Sequence, residues 1–469
     1  MNYVSTRGSA PVLGFEEAML AGLARDGGLY VPESWPTLSH AEIAALAGLS
    51  YEDAALRILA PFVGDTFPEA ELARLIARAY AGFGHAARVP LVQLAPNDWL
   101  LELFHGPTLA FKDVAMQLIG QLFEASLKRT GRRITIVGAT SGDTGSAAIE
   151  AFRGAAGVEV FILFPDGRVS DVQRRQMTTP SERNVHALAI AGDFDDAQAR
   201  VKDMFNDHAF RDGVGLAGVN SINWARVLAQ TVYYFTAAVA LGAPHRKVSF
   251  TVPTGNFGDI FAGWVAKRMG LPIDRLVVAT NQNDILHRTL ETGEYRRGAV
   301  LSSISPSMDI QVSSNFERLL FELTDREGAA VSALMADLAR DGGFRLPQGA
   351  VDRLRADFDS ASASEAETTA AIAATYERTG EVVCPHTAVA LHAAAAKRGD
   401  PAVPMVVLAT AHPAKFPDAV EAACGVRPAL PPRMADLMTR AERMTRVPND
   451  LRAIEAVVGR EAATEEAGR

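Results

Sequence analysis

Cysteine is nearly absent from this chain. Its 469 residues hold two, Cys384 and Cys424, far apart and outside any CxxC spacing. That excludes a disulfide framework and a cysteine-based zinc site, so no metal ligand set is expected, and a reducing, cytoplasmic compartment fits. Long apolar runs are missing too: none reaches the roughly 18 residues that a membrane-spanning helix needs. Met1 to Arg7 is polar and carries no apolar segment of a secretory signal. No basic block stands out, and the net charge is −9 at pH 7. Nucleic acid and anionic membrane are therefore poor partners. Lysine is scarce, with seven residues at 112, 128, 202, 247, 267, 397 and 415. The rest is ordinary, 48% hydrophobic and 22% charged, which excludes a largely disordered chain. The length suits two or three domains.

The first hundred residues read mostly as helices, with apolar residues at helical spacing over Phe15–Arg25, His40–Gly48, Tyr51–Ala60 and Pro68–Gly82. From about residue 90 short apolar runs alternate with helical patterns. Ile134–Val137, Val158–Leu163, Val185–Ile190, Val248–Val252, Leu276–Ala279 and Met405–Leu408 read as buried strands. Ser146–Arg153, Ala197–Asn206, Trp224–Leu241 and Ile260–Met269 read as helices between them. This alternation predicts an α/β protein with parallel sheets covered by helices. The expected division is a mostly helical domain over 1–90, two α/β lobes over 91–430, and a helical tail over 431–469. Within the middle region, about 115–220 forms a smaller lobe, and 91–114 with 221–430 a larger one. The charged end, Glu461 to Arg469, is expected to fray.

Four constellations could carry chemistry. Thr254-Gly255-Asn256-Phe257-Gly258-Asp259 follows a strand and opens a helix. Its glycines allow close approach of an anion, and the helix start offers free N–H groups and a positive dipole end. It is neither a Walker loop nor a dinucleotide GxGxxG, and a plain tight turn is the alternative. Thr140-Ser141-Gly142-Asp143-Thr144-Gly145 is a second loop between strand and helix. Its three hydroxyls suit a carboxylate or phosphate; alone, it reads first as a capped helix start. Two such loops on two lobes favour one anionic ligand held between them.

The third constellation is His105-Gly106-Pro107-Thr108-Leu109-Ala110-Phe111-Lys112-Asp113, where a lysine sits among apolar residues. A desolvated amine loses basicity and becomes able to form an imine; the alternative is a surface lysine paired with Asp113. The fourth, Thr410-Ala411-His412-Pro413-Ala414-Lys415-Phe416, begins where a strand ends, a usual place for ligands of open α/β sheets. Asn223 and Arg226, at the start of the helix from Trp224, add an amide and a natural phosphate partner. Ser305-Pro306-Ser307-Met308-Asp309-Ile310 is a further polar loop.

Taken together, these stretches resemble the threonine synthase family, in its longer form with an N-terminal helical extension. Tyr3-Val4-Ser5-Thr6-Arg7-Gly8 and Asp26-Gly27-Gly28-Leu29-Tyr30-Val31-Pro32 also match, and the matches run in family order from residue 3 to residue 416. The resemblance implies a fold type II, tryptophan synthase β-like enzyme with pyridoxal 5′-phosphate as cofactor. It implies Lys112 as the Schiff-base lysine. Gly255, Asn256, Phe257 and Gly258 would cradle the cofactor phosphate, with Asp259 closing the loop. Thr410 would sit at the pyridine nitrogen, and Asp143 near the 3′-oxygen, where many relatives carry Asn. Thr140, Ser141 and Thr144 would hold the substrate carboxylate, and Asn223, Arg226 and Lys415 the substrate phosphate.

The implied reaction turns O-phospho-L-homoserine and water into L-threonine and phosphate, by γ-elimination and addition of water at Cβ. The implied partner is this small molecule alone, and monomer and homo-oligomer stay open. The rival is a related fold type II lyase, a phospholyase or hydroxyamino-acid dehydratase, with the same lysine and loop. A nucleotide-binding α/β protein lacks support, because neither a Walker lysine nor an acidic ribose reader is present.

Overall fold

The computed structural model describes residues 1–464, with side chains described to residue 462. The chain divides into two compact units. The first comprises residues 1–19, 23–115 and 221–428, and the second residues 20–22, 116–220 and 429–469.

The first unit is built on a six-stranded sheet. Its strands follow the order Phe358–Ser362, Ile273–Thr280, Val248–Pro253, Met405–Ala409, Asp98–Glu102 and Leu91–Ala95. All neighbours are parallel except the last pair, a hairpin that ends the sheet at one edge. Every residue of Val248–Pro253 is buried, as expected for a strand covered on both faces. The alanine-rich helix Pro385–Ala396 lies against one face, where Ala388, Val389, Ala390 and Ala393 pack with Val277, Ala279, Met405 and Val407. Small side chains let helix and sheet approach closely.

Most of the N-terminal residues fall in this unit, with residues 20–22 in the other. Tyr3–Ser5 pairs antiparallel with Tyr30–Pro32. Arg7 and Thr6 both donate to the buried Glu317 carboxylate, Arg7 through two bonds of 3.0 Å. Trp224 stands against Tyr3, Trp35 and Phe62, so the helix Trp224–Ala240 is packed on the N-terminal segment by aromatic contacts.

The second unit holds a wholly parallel five-stranded sheet: Thr445–Val447, Val185–Ile190, Val158–Pro165, Ile134–Ala139 and Leu216–Ala217. The C-terminal tail is therefore not only helical. Thr445–Val447 extends the sheet, and Ile454 and Val458 of the following helix pack with Ala197 and Val201. The expectation for Glu461 to Arg469 falls mostly outside the described residues. Among the described residues no helix is long and apolar enough to cross a membrane.

The helix Lys112–Thr130 leads out of the first unit. Inside the second unit it crosses the helix Asp143–Phe152 at Gly120, where a Cβ would lie 2.4 Å from the carbonyl oxygen of Ala151. Gly120→Ala gains about 1 kcal/mol in helix propensity. The clash is with backbone, which cannot rotate away, and overpacking of this kind costs about 1–3 kcal/mol. The expected result is net destabilisation, measured as a lower urea midpoint at unchanged slope.

Candidate active site

Lys112 is the first residue of its helix, and the turn before it is fixed from several sides. The end of the strand Met405–Ala409 runs antiparallel to Leu109–Phe111. Phe111 N–H donates to Thr410 O at 2.8 Å, and His412 N–H to Leu109 O at 3.0 Å. This pairing brings Thr410 and Lys112, 298 residues apart by their numbers, onto adjoining backbone. The Lys112 side chain is 9% exposed, with Nζ 4.7 Å from the Phe111 ring centroid. Thr410 is buried, and among the described residues its hydroxyl makes no hydrogen bond.

The turn itself is held by Asp113. Its carboxylate accepts from Thr108 N–H at 2.8 Å and Thr108 Oγ1 at 2.7 Å. Burial pushes the Asp113 carboxyl up to about 6, and the Thr108 bonds and the Lys415 charge offset part of that penalty. Gly106 is required here, because a Cβ would meet Asp113 Cβ at 2.4 Å. Lys415 is fully buried and donates to Thr108 O at 2.7 Å. Its ammonium thus supports the lysine turn.

The glycine loop follows the fully buried strand Val248–Pro253. Thr254 N–H donates to Ala279 O at 2.7 Å and ties the loop to the next strand. Phe257 sits in the left-handed region at φ 62°, a strained setting for a residue with a side chain. The helix starts at Gly258. Among the described residues, the backbone N–H groups of Gly255, Asn256, Phe257, Gly258 and Asp259 meet no acceptor. Five orphan donors at a helix start form an anion cradle.

The cradle's carbonyls, by contrast, are occupied. Gly255 O accepts from Ser313 Oγ at 2.7 Å, and Asn256 O from Asn315 N and Nδ2, both at 3.0 Å. Ser307 O would lie 3.0 Å from a Cβ at Gly255. Arg318, fully buried, then ties Asn315 into the unit. It donates to Asn315 Oδ1, to Tyr30 O at 3.0 Å and to Ile222 O. Burial lowers its guanidinium to about 9, still charged at neutral pH. Asp259 has its Oδ1 occupied by the hydroxyls of Tyr233 and Tyr234. The sequence reading missed Ser313, Asn315, Arg318, Tyr233 and Tyr234. Its nearest signal was the polar run Ser313-Ser314-Asn315 ahead of the helix Phe316–Leu323.

Asn223 caps the helix Trp224–Ala240, accepting from Ala225 N–H at 3.0 Å while its Nδ2 donates to Met19 O at 2.8 Å. Its amide thus joins the helix start to the N-terminal segment. Arg226, one turn in, is buried, and desolvation lowers its guanidinium to about 10.

In the second unit, Thr140 Oγ1 accepts from Gly142 N–H and Gly145 N–H, both at 2.9 Å. This hydroxyl shapes its own loop. Asp143 Oδ1 accepts from Gln173 Nε2 at 2.8 Å, a partner absent from the sequence reading. Gly142 has φ 136°, and a Cβ there would meet Gln173 at 2.3 Å. Ser141 and Thr144 keep partial exposure. Among the described residues no group of three or more His, Cys, Asp or Glu is placed to hold a metal ion.

Three family models cover nearly the whole chain: the threonine synthase N terminus over residues 2–80, the pyridoxal-phosphate dependent enzymes over 84–342, and the threonine synthase C-terminal region over 387–458. The threonine synthase of Pseudomonas aeruginosa is 53% identical over 459 residues, covering 98% of each chain. The chain belongs to the threonine synthase family. The crystal structure of the pyridoxal-phosphate-bound family member from Brucella melitensis superposes with a TM-score of 0.96 at 57% identity, over 98% of this chain and 99% of that one. The yeast enzyme gives 0.94 at 41% identity, over 99% of both chains. The fold is thus that of the fold type II pyridoxal-phosphate enzymes, and the family's cofactor is pyridoxal 5′-phosphate. The residues present fit that group, with a lysine amine at a helix start and a glycine cradle of unpartnered N–H donors.

Asn315→Ala removes the side-chain donor to Asn256 O and an acceptor of Arg318. The expected cost is about 1–3 kcal/mol for stranded buried partners, read by urea denaturation. Pyridoxal phosphate should also bind more weakly, while phosphate-free pyridoxal binds unchanged, read by titration of the cofactor-free chain.

Proposed function

We propose that this chain converts O-phospho-L-homoserine and water to L-threonine and phosphate, with Lys112 as the residue that binds the cofactor and moves protons. The observation that carries the reading is the backbone pairing that sets Lys112 beside Thr410, in a chain that matches threonine synthases from end to end. When bound, pyridoxal 5′-phosphate supplies an electron sink for negative charge developing on the substrate carbons.

The remaining work falls to the chain. The Gly255–Asp259 N–H groups and the dipole of the helix behind them bind the cofactor phosphate. We assign the Thr410 hydroxyl to the ring nitrogen; being neutral, it does not force a proton onto that atom as a carboxylate would. Lys112 Nζ, once its amine is free, takes the proton from the substrate Cα and returns protons further along the chain.

The leaving phosphate needs a charged partner. Arg226 is assigned this role: its guanidinium stays cationic at neutral pH even when brought down to about 10 by burial, and buried charge is felt strongly. Asn223 and Lys415 act one step behind, as helix cap and as support of the lysine turn. Ser141 and Thr144 are assigned to the substrate carboxylate, with Thr140 shaping their loop. Asp143, oriented by Gln173, is assigned to the cofactor 3′-oxygen.

The full-length protein should be yellow and should release phosphate from O-phospho-L-homoserine with an equal yield of threonine. Lys112→Ala should lose the visible absorbance band and the turnover together. Formation of 2-oxobutyrate in place of threonine would reassign the site to a phospholyase. Arg226→Ala should lower kcat by about 10²–10³-fold, the scale for losing one charge-stabilising group, with the absorbance band retained; unchanged kcat and KM would remove Arg226 from the substrate phosphate.

A further inference from the structure

Asp259 is the oddity of the phosphate loop. It occupies the second position of the helix Gly258–Arg268, and its own N–H is one of the five unpartnered donors. A carboxylate so close to a bound dianion would repel it. The side chain is nonetheless buried, and its two oxygens are treated differently. Oδ1 accepts from both Tyr233 and Tyr234 on the helix Trp224–Ala240. Tyr234 also donates to the Asp259 carbonyl, at 2.9 Å. Oδ2 is buried with no hydrogen-bond partner. An anionic oxygen in that condition is costly, whereas a protonated one is not.

We propose that Asp259 is a proton-holding positioning residue: its carboxyl takes up a proton on Oδ2 when a phosphate monoester seats on the Gly255–Asp259 cradle, so that anion binding there is linked to uptake of one proton. The proposal rests on the reading of this loop as the cofactor-phosphate seat. The charged and titratable groups acting on the carboxyl are few. Tyr233 and Tyr234 are held well above the usual tyrosine range by burial and by Asp259 itself, so both are neutral donors. Lys112 is the cation that favours the carboxylate, and Arg226 acts on Tyr233. Without phosphate, burial already pushes the Asp259 carboxyl up to about 6, against the opposing pull of the two tyrosines and Lys112. A dianion on the cradle pushes it further, and engagement of the Lys112 amine removes its one supporting charge.

The sign follows from linkage. Below pH 6 the carboxyl is already neutral, and phosphate binding takes up no proton there. Above it, each bound phosphate takes up a proton, so affinity falls as pH rises, by at most about tenfold per unit. The test titrates cofactor-free, full-length protein with pyridoxal phosphate and with phosphate-free pyridoxal from pH 6 to 8.5. The ratio of the two affinities cancels the chemistry of Lys112 and isolates the phosphate. In Asp259→Asn the change of this ratio with pH records the phosphate's own ionisation alone. The wild-type ratio should fall relative to the variant by several-fold per unit, and the variant should bind the phosphate more tightly at pH 8.5. Parallel ratios in the two proteins would overturn the proposal. A ratio near one in both would overturn the phosphate seat itself, and the proposal with it. Tyr233→Phe supplies an independent arm if Asp259→Asn does not fold. Loss of one donor to Oδ1 raises the carboxyl further, so the fall should begin at higher pH; an unmoved onset counts against the proposal.

Discussion

Five backbone N–H groups left without protein acceptors at the start of the helix Gly258–Arg268 set the terms for everything around them. Donors left unpaired in a loop that is at least half-buried cost free energy unless water or an anion reaches them. The loop must hold its shape meanwhile, since a relaxed loop would pair those donors with its own carbonyls. The carbonyls are therefore occupied: Ser313 takes Gly255 O, and Asn315 takes Asn256 O. Arg318 holds Asn315 and reaches Tyr30 O and Ile222 O with the same guanidinium. One buried side chain thus fastens the cradle to the N-terminal segment and to the segment that carries Asn223. This gives the N-terminal residues a physical reason to fold into the first unit.

A second theme is the distribution of buried charge. Asp113 and Lys415 form one balanced set under the lysine turn, bridged by Thr108. Asp259 has no such partner beyond the distant influence of Lys112, and leans on two neutral tyrosines instead. The two acids are displaced upward by about the same amount, both chiefly by burial. They differ in consequence. Asp113 has both oxygens hydrogen-bonded and works as a fixed structural anion, whereas Asp259 keeps one buried oxygen without a partner.

What could be read from the sequence was whatever is contiguous. Strands such as Val158–Pro165 and Val185–Ile190 emerged at or near their limits because a short, mostly apolar run is a local signal. The short edge strands Leu216–Ala217 and Thr445–Val447 did not, because pairing rather than composition makes them strands. The site divides the same way. The glycine loop and the lysine turn are each one run of residues, and both were found. Gln173 lies 30 residues from Asp143, and Asn315 lies 59 from Asn256. No local pattern announces such partners. Lys112 and Lys415 both sit in apolar runs and both are buried, so composition alone does not tell them apart.

The unequal fates of Asn223, Lys415 and Arg226 follow from how much of each polar group the fold consumes. The helix cap engages both ends of the Asn223 amide, its oxygen by Ala225 N–H and one N–H by Met19 O. An ammonium has three donors, and Lys415 gives at least one to the lysine turn while being fully enclosed. A guanidinium has five donors in a rigid plane, so it can be anchored and still present a face to an anion. Buried arginine is therefore the group best able to serve scaffold and ligand at once. Arg318 spends that capacity on carbonyls and an amide oxygen. Arg226 stands in the first turn of the helix capped by Asn223, where the positive end of the helix dipole adds to its charge. Of the three residues expected at the substrate phosphate, it is the one we propose to meet it directly.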